Sequence, residues 1–308
     1  MLCHTTMDRW LFVDSKAVCL FLAFVATAVA ASYLYVDVKL QRSVVVSTTT
    51  SLHQLGVLDD LLNDFKSATG IDVKFKVLVK GSGEALRVLA DGSACIAFVH
   101  APSLELQYME QGKVEQLAVF AYNEFVIVGP SDDPAGVRNS SSVVEAFERI
   151  YRAGEEGVAK FVSRGDMSGT NVREVQLWRQ AGLSPEGKPW YLKSCQGMIQ
   201  TLLMAENVGA YTLTDLGTYA SLKRQGRLQV LVELKRDPRY LVNVYSAYVS
   251  RASAFSDPYT HYVAQELKNY LMTRGQELLA SKYGDVIRPV KGCEDEVRQA
   301  WEALARLG

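Results

Sequence analysis

Two short stretches of this chain carry the residue types that grip a small anion. Thr48-Thr49-Thr50-Ser51 follows the apolar run Val44-Val45-Val46, and Ser163-Arg164-Gly165-Asp166-Met167-Ser168-Gly169-Thr170 follows Phe161-Val162. Each ends a strand-like segment and opens a helix-like one. Hydroxyls donate hydrogen bonds, helix N-terminal amides favour anions, and arginine adds positive charge in a planar donor fork. A deprotonated oxyanion offers only acceptors, so its shell should hold donors and exclude carboxylates. The candidate contacts are Thr49, Thr50 and Ser51 in the first stretch, and Arg164, Ser168, Gly169 and Thr170 in the second. Gly81-Ser82-Gly83 adds Ser82, because two glycines let backbone approach a ligand closely.

Plainer readings exist for each. Ser51 with Gln54 three residues on fits a capping box, Gly81-Ser82-Gly83 fits a tight turn, and Arg164 with Asp166 fits a surface ion pair. Capping explains one hydroxyl, but not four in succession, since such residues are poor helix formers. The binding reading is therefore preferred for the clusters as wholes.

Other chemistries find little support. Gly165-Asp166-Met167-Ser168-Gly169 misses the G-x-S-x-G nucleophile elbow by one position. The four histidines are His4, His53, His100 and His261, with no H-x-x-x-H or H-E-x-x-H spacing. A His100, Ser168 and Asp215 triad emerges only if its members are chosen after the fact, so the chain is read as a non-enzyme. No cysteine or histidine spacing predicts a metal, and no cofactor motif is present, since Leu86 fills the last glycine position of G-x-G-x-x-G after Gly81. A formal net charge of -1 gives no global reason to expect nucleic acid. The densest basic group, residues 223–227, reads as a solvated helix face.

The elements that must hold these residues alternate. Strands are predicted at 44–46, 73–79, 96–99 and 125–128, with helices at 58–65 and 84–90. After the Gly129-to-Pro134 break the pattern restarts, with a helix at 143–152, a strand at 159–162, a helix at 171–180 and a Gly/Pro-rich loop at 182–190. A helix after Gly197, strands at 210–213 and 228–232, an extended run at 242–249 and amphipathic helices at 262–280 and 294–307 complete the order. This βαβ alternation predicts an α/β fold of two lobes joined by two crossings, with ligand beyond the carboxyl ends of the strands.

Residues 17–36 contain no charge. A helix of that length spans about 30 Å, enough for a bilayer core. Arg9 and Lys16 precede it, so residues 1–16 are expected to stay cytoplasmic. The segment reads as a transmembrane anchor or as a signal peptide cleaved near Ala28-Val29-Ala30, and either places the remainder outside the cytoplasm.

Taken together, these motifs resemble the TupA type of tungstate-binding receptor of ABC importers. The matching residues are Thr48-Thr49-Thr50-Ser51 with Gly56, Gly81-Ser82-Gly83-Glu84-Ala85-Leu86, Val99-His100-Ala101-Pro102, and Tyr122-Asn123-Glu124-Phe125. They continue through Phe161-Val162-Ser163-Arg164-Gly165-Asp166 with Ser168-Gly169-Thr170, Leu177-Trp178, Gln196-Gly197-Met198, and Ala210-Tyr211-Thr212-Leu213-Thr214-Asp215. The resemblance spans about residues 44–245. It implies a two-lobed type II periplasmic-binding-protein fold, each lobe a mixed, mostly parallel sheet flanked by helices. Lobe I is expected at 43–127 plus 243–308 and lobe II at 128–242.

It further implies capture of tungstate or molybdate by a monomer that docks on an ABC permease with its own ATPase. Thr49, Ser51, Ser82, Arg164 and Thr170 would contact the oxyanion, with Ser168 nearby. The alternatives are a receptor for another tetrahedral oxyanion (molybdate, sulfate or phosphate) and a membrane-tethered oxyanion sensor. Leu55, Cys95, Cys195, Leu216 and Val244 depart from the family pattern, and Leu216 stands where an arginine is usual. Cys95, Cys195 and Cys293 are read as free thiols, and the joint departure at Cys95 and Cys195 leaves a disulfide between them as the lesser alternative.

Overall fold

The computed structural model describes residues 15–41, 43–223, 228–252 and 258–307. The chain divides into two compact units, 1–43 and 44–308. The first unit is the helix Ser15–Gln41, with its side chains from 18 to 32 exposed. Among the described residues no helix is long and apolar enough to cross a membrane, so the expected transmembrane anchor is not among the elements shown. The expected cytoplasmic tail lies almost wholly outside the described residues, as does most of the basic group at 223–227.

The second unit is α/β. Its strands are β1 (Ser43–Thr49), β2 (Lys74–Lys80), β3 (Ile96–Val99), β4 (Val114–Pro130), β5 (Phe161–Ser163), β6 (Tyr191–Lys193), β7 (Thr212–Asp215), β8 (Leu228–Val232), β9 (Val242–Ser250) and β10 (Arg288–Pro289). The main sheet runs β10-β4-β9-β3-β1-β2, while β7 and β8 pair with the far end of β4. β1 and β3 are parallel, as are β5 and β6. The long strands β4 and β9 add antiparallel pairings.

β4 holds the two lobes together. Residues Val114 to Glu124 pair with β9, and Phe125 to Val128 pair with β7. The first lobe's core gathers Val46, Leu61, Phe65, Ile96, Phe98 and Tyr245. The second lobe's core gathers Phe125, Phe147, Phe161, Trp178 and Tyr211. Each large apolar side chain so buried contributes about 1.5–3 kcal/mol. Phe147 and Trp178 meet edge-on at 4.4 Å between centroids, which fixes the helix Gly169–Gln180 against the helix Val143–Glu155.

Only the second half of β4 was legible, because bulges at Gln116/Ala118 and Val119/Ala121 interrupt the alternation of its first half. The expected helix at 262–280 is divided into Pro258–Leu271 and Arg274–Leu278. The backbone leaves helical geometry at Thr273, with φ −125° and ψ −98°, and Arg274 then pairs with Asp64 at 2.8 Å. None of the described cysteines forms a disulfide. Cys95 is buried before β3 whereas Cys195 is exposed, so the suggested bond between them is not made.

Candidate functional site

The first hydroxyl cluster sits where β1 ends. Thr49 caps the short helix Thr50–Gln54, but its side chain makes no capping bond. The expected capping box, with Ser51 as cap, is therefore absent: Ser51 is already inside the helix. Thr49 and Ser51 are buried, and their hydroxyls lie 3.2 Å apart. The Tyr245 phenol lies beside Ser51. Burial and the nearby Asp215 carboxylate push the Tyr245 phenol well up, so it keeps its proton.

Tyr245 belongs to a buried polar network that sequence reading missed. The Asn243 side-chain amide donates to Tyr245 Oη at 3.0 Å and to Asn123 Oδ1 at 2.7 Å. Its Oδ1 lies 2.9 Å from His100 Nδ1. With the amide hydrogens directed elsewhere, Nδ1 must carry the imidazole proton, a tautomer inferred from the network. Burial drives the His100 pKa down to about 4, and Arg164 and Arg173 push the same way. His100 is thus neutral at physiological pH.

Ser82 is buried at the start of the helix Ser82–Ala90, where Oγ accepts the His100 amide at 3.3 Å. Its own hydroxyl proton remains for a ligand. The flanking glycines do what the sequence asked of them, although the backbone that approaches is protein. A Cβ at Gly81 would lie 3.3 Å from the Asp166 carbonyl, and one at Gly83 3.2 Å from that of Met167. The Gly83 amide donates to Met167 O at 3.2 Å. Here the two lobes touch.

The second cluster follows β5. Ser168 caps the helix Gly169–Gln180 by accepting the Asn171 amide at 3.3 Å. Gly169 is packed so closely that a Cβ would lie 2.5 Å from the Nδ1 and carbonyl oxygen of His100. Thr170 is buried beside it. Arg164 is 3% exposed and forms a tight ion pair with Asp166. Its Nη2 reaches across to Thr50 Oγ1 at 3.4 Å, and its Nε is buried with no partner. The ion pair read from the sequence as a surface one is thus buried on its arginine side, and Asp166 also accepts the Ser168 amide at 3.1 Å.

Behind this turn lies Glu174. It accepts from Ser163 Oγ at 2.5 Å, Tyr191 Oη at 2.6 Å, Trp178 Nε1 at 3.0 Å and Asn171 Nδ2 at 3.3 Å. Burial pushes its carboxyl up while these donors pull it down. Ser163 Oγ in turn accepts the Gly165 amide at 3.2 Å, so Glu174 sets the path of the Arg164 turn.

The triad of His100, Ser168 and Asp215 is not assembled. His100 bonds Asn243, Ser168 caps its own helix, and Asp215 caps the helix Leu216–Leu222 through the Thr218 amide at 2.8 Å. Among the described residues no three His, Cys, Asp or Glu side chains are grouped to hold a metal. The arrangement is a buried shell of hydroxyl and guanidinium donors shared between two lobes, suited to an acceptor-only guest.

The PBP superfamily domain model matches residues 28–287. The solved structure of the tungstate-binding protein TupA from Desulfovibrio alaskensis is 34% identical, covers 80% of this chain and 98% of its own, and superposes with a TM-score of 0.64. The chain belongs to the TupA family of the PBP superfamily. The structure of the tungstate ABC transporter from Geobacter sulfurreducens agrees, at 34% identity, TM-score 0.62, and coverage of 77% of this chain and 97% of its own. The curated tungstate-binding protein TupA of Peptoclostridium acidaminophilum is 38% identical over 62% of this chain, and the chain spans 65% of that relative's length.

In this TupA-family chain the candidate residues Thr49, Thr50, Ser51, Ser82, Arg164, Ser168, Gly169 and Thr170 converge where the lobes meet. Sequence reading missed Glu174, His100 with Asn243, and Arg173. Arg173 had one signal: it lies three residues after Thr170, on the same helical face. Leu216, the departure from arginine, packs among Val126 and Tyr219 in the second lobe.

Proposed function

We propose that this chain is an extracytoplasmic receptor that captures tungstate and delivers it to an ABC permease. One observation carries the reading: the buried Arg164 guanidinium, with Nε unpartnered, bonds the Thr50 hydroxyl of the opposite lobe. Thr49, Thr50, Ser51 and Ser82 would supply neutral donors from the first lobe. Arg164, Ser168, Thr170 and the Gly169 amide would supply the second lobe's share. A tetrahedral dianion accepts from both at once, so it favours the closed arrangement over any open one. The closed form would dock on the permease as a monomer, and no turnover is required.

The boundaries 43–127 plus 243–308 and 128–242 are proposed as the rigid lobes, with the crossings of β4 and β9 as hinge. The apolar segment 17–36 is proposed to take the chain across the membrane, and the mass of the mature protein reports whether it is then removed.

Calorimetric titration of residues 44–308 with tungstate, molybdate, sulfate and phosphate tests the reading. Tungstate should bind tightly, and sulfate and phosphate weakly. No heat with tungstate, in a folded sample freed of prebound anion, would refute it. Tight binding of molybdate, sulfate or phosphate instead would make the chain a receptor for that ion.

A further inference from the structure

Arg173 is 3% exposed, and its Nε and Nη1 are buried with no hydrogen-bond partner. It belongs to the helix that begins at Gly169, one turn beyond the oxyanion turn. No buried carboxylate pairs with it among the described residues. Glu174 is held by Ser163, Asn171, Trp178 and Tyr191, Asp166 by Arg164, and Asp215 by Thr218. Glu105 accepts from Tyr248 and Trp301. Burying an unpaired cation is among the most expensive arrangements a fold sustains. Burial lowers the Arg173 pKa only to about 10, so the group remains charged at neutral pH.

The charge count of the oxyanion turn needs such a group. Asp166 offsets Arg164 within their ion pair, and burial pushes the carboxyl of Glu174 behind the turn up, so the turn by itself offers little net positive charge. His100, beside Gly169, stays neutral. Arg173 is the remaining cation, close enough for its field to act on the His100 imidazole.

We propose that Arg173 is a second arginine of the oxyanion site, supplying the uncompensated positive charge that selects a tetrahedral dianion over a monoanion of the same shape. This rests on the receptor reading above. Arg164 and the hydroxyls then recognise the shape and acceptors of the ion, while Arg173 recognises its charge. The guest supplies the partner that the buried guanidinium lacks.

The test compares tungstate with perrhenate, a tetrahedral monoanion of similar size, by calorimetry at pH 8 in low-chloride buffer. Wild type, Arg173→Gln and Arg173→Lys are titrated, each checked by circular dichroism and an anion-free thermal melt. Arg173→Gln should lose roughly a hundredfold in tungstate affinity but no more than about tenfold in perrhenate affinity. Arg173→Lys should recover part of the preference. Anion-free Arg173→Gln should melt no lower than wild type, because an unpaired buried charge has been removed.

An unchanged tungstate-to-perrhenate ratio in Arg173→Gln would overturn the proposal while wild-type tungstate binding upheld the receptor reading. Should Arg173→Gln not fold, Arg173→Met, which removes the charge with an apolar side chain of similar length, decides: a lost ratio supports the role, and a ratio and affinity equal to wild type overturn it. A folded wild type that binds neither ion would remove both readings together.

Discussion

The two halves of the site are built on opposite principles. The first-lobe half is neutral: Thr49, Ser51 and Ser82 are positioned by hydroxyl, phenol and amide contacts that run through Tyr245, Asn243 and His100. The second-lobe half is charged, with Arg164 clamped by Asp166 and its turn anchored on the buried Glu174. A neutral donor costs little to bury before a ligand arrives, so the first half is fully built in advance. A charged donor is expensive to bury unpaired, so the second half is braced by carboxylates that are themselves hydrogen-bonded. On the proposed reading the first lobe would supply neutral donors only and the second lobe the charged ones, and only closure would join them.

Removing charge should break this division most severely. Arg164→Ala should weaken tungstate binding by about 3 kcal/mol or more, over a hundredfold in Kd by calorimetry. A loss below tenfold would mean the second half is not the charged half. Next comes the seam. Gly169→Ala drives a Cβ to 2.5 Å from the His100 carbonyl and ring, so the lobes must separate there. We expect about 2–3 kcal/mol of lost stability in denaturant unfolding, together with weaker tungstate binding. An unchanged unfolding midpoint would show that the seam is loose.

The neutrality of the first half is read by pH. The folded His100 pKa of about 4 lies below the ordinary 6.5, so between those values the unfolded chain binds more protons and stability falls as pH falls. From pH 7 to 5 this amounts to about 2 kcal/mol. The burial that sets it is joined by Arg164 and Arg173, with Asp166 opposing. His100→Gln should abolish that share of the pH dependence in urea titrations at the two pH values. An equal slope in wild type and variant would place the titration elsewhere. The smallest effects belong to single neutral donors. Thr49→Val and Ser51→Ala should each cost tungstate affinity about 1 kcal/mol, and losses as large as that of Arg164→Ala would erase the contrast between the halves.

Much of the fold was legible because the signals are local. The helix Val57–Thr69 closes at Gly70 in the left-handed region with φ 68°, as the apolar spacing and the glycine predicted. The turns bearing Thr49 to Ser51 and Arg164 to Thr170 announced themselves by composition. The first half of β4 did not, because its bulges hide the period of two. Neither did the break at Thr273, where the backbone leaves helical geometry with no proline to mark it.

By itself, the sequence determined which residues donate, in what order along the chain, and at the ends of which strands. Those properties follow from side-chain chemistry and local periodicity. Tertiary structure alone decided that Ser51 lies inside its helix with its hydroxyl against Thr49 rather than acting as the cap. It also decided that His100 is neutral, that the glycines of 81 and 83 admit the opposite lobe's backbone, and that Arg173 is buried without a partner. Each of those depends on desolvation and on neighbours far away in the chain. Burial converts an ordinary arginine or histidine into one whose charge state and pairing carry several kcal/mol.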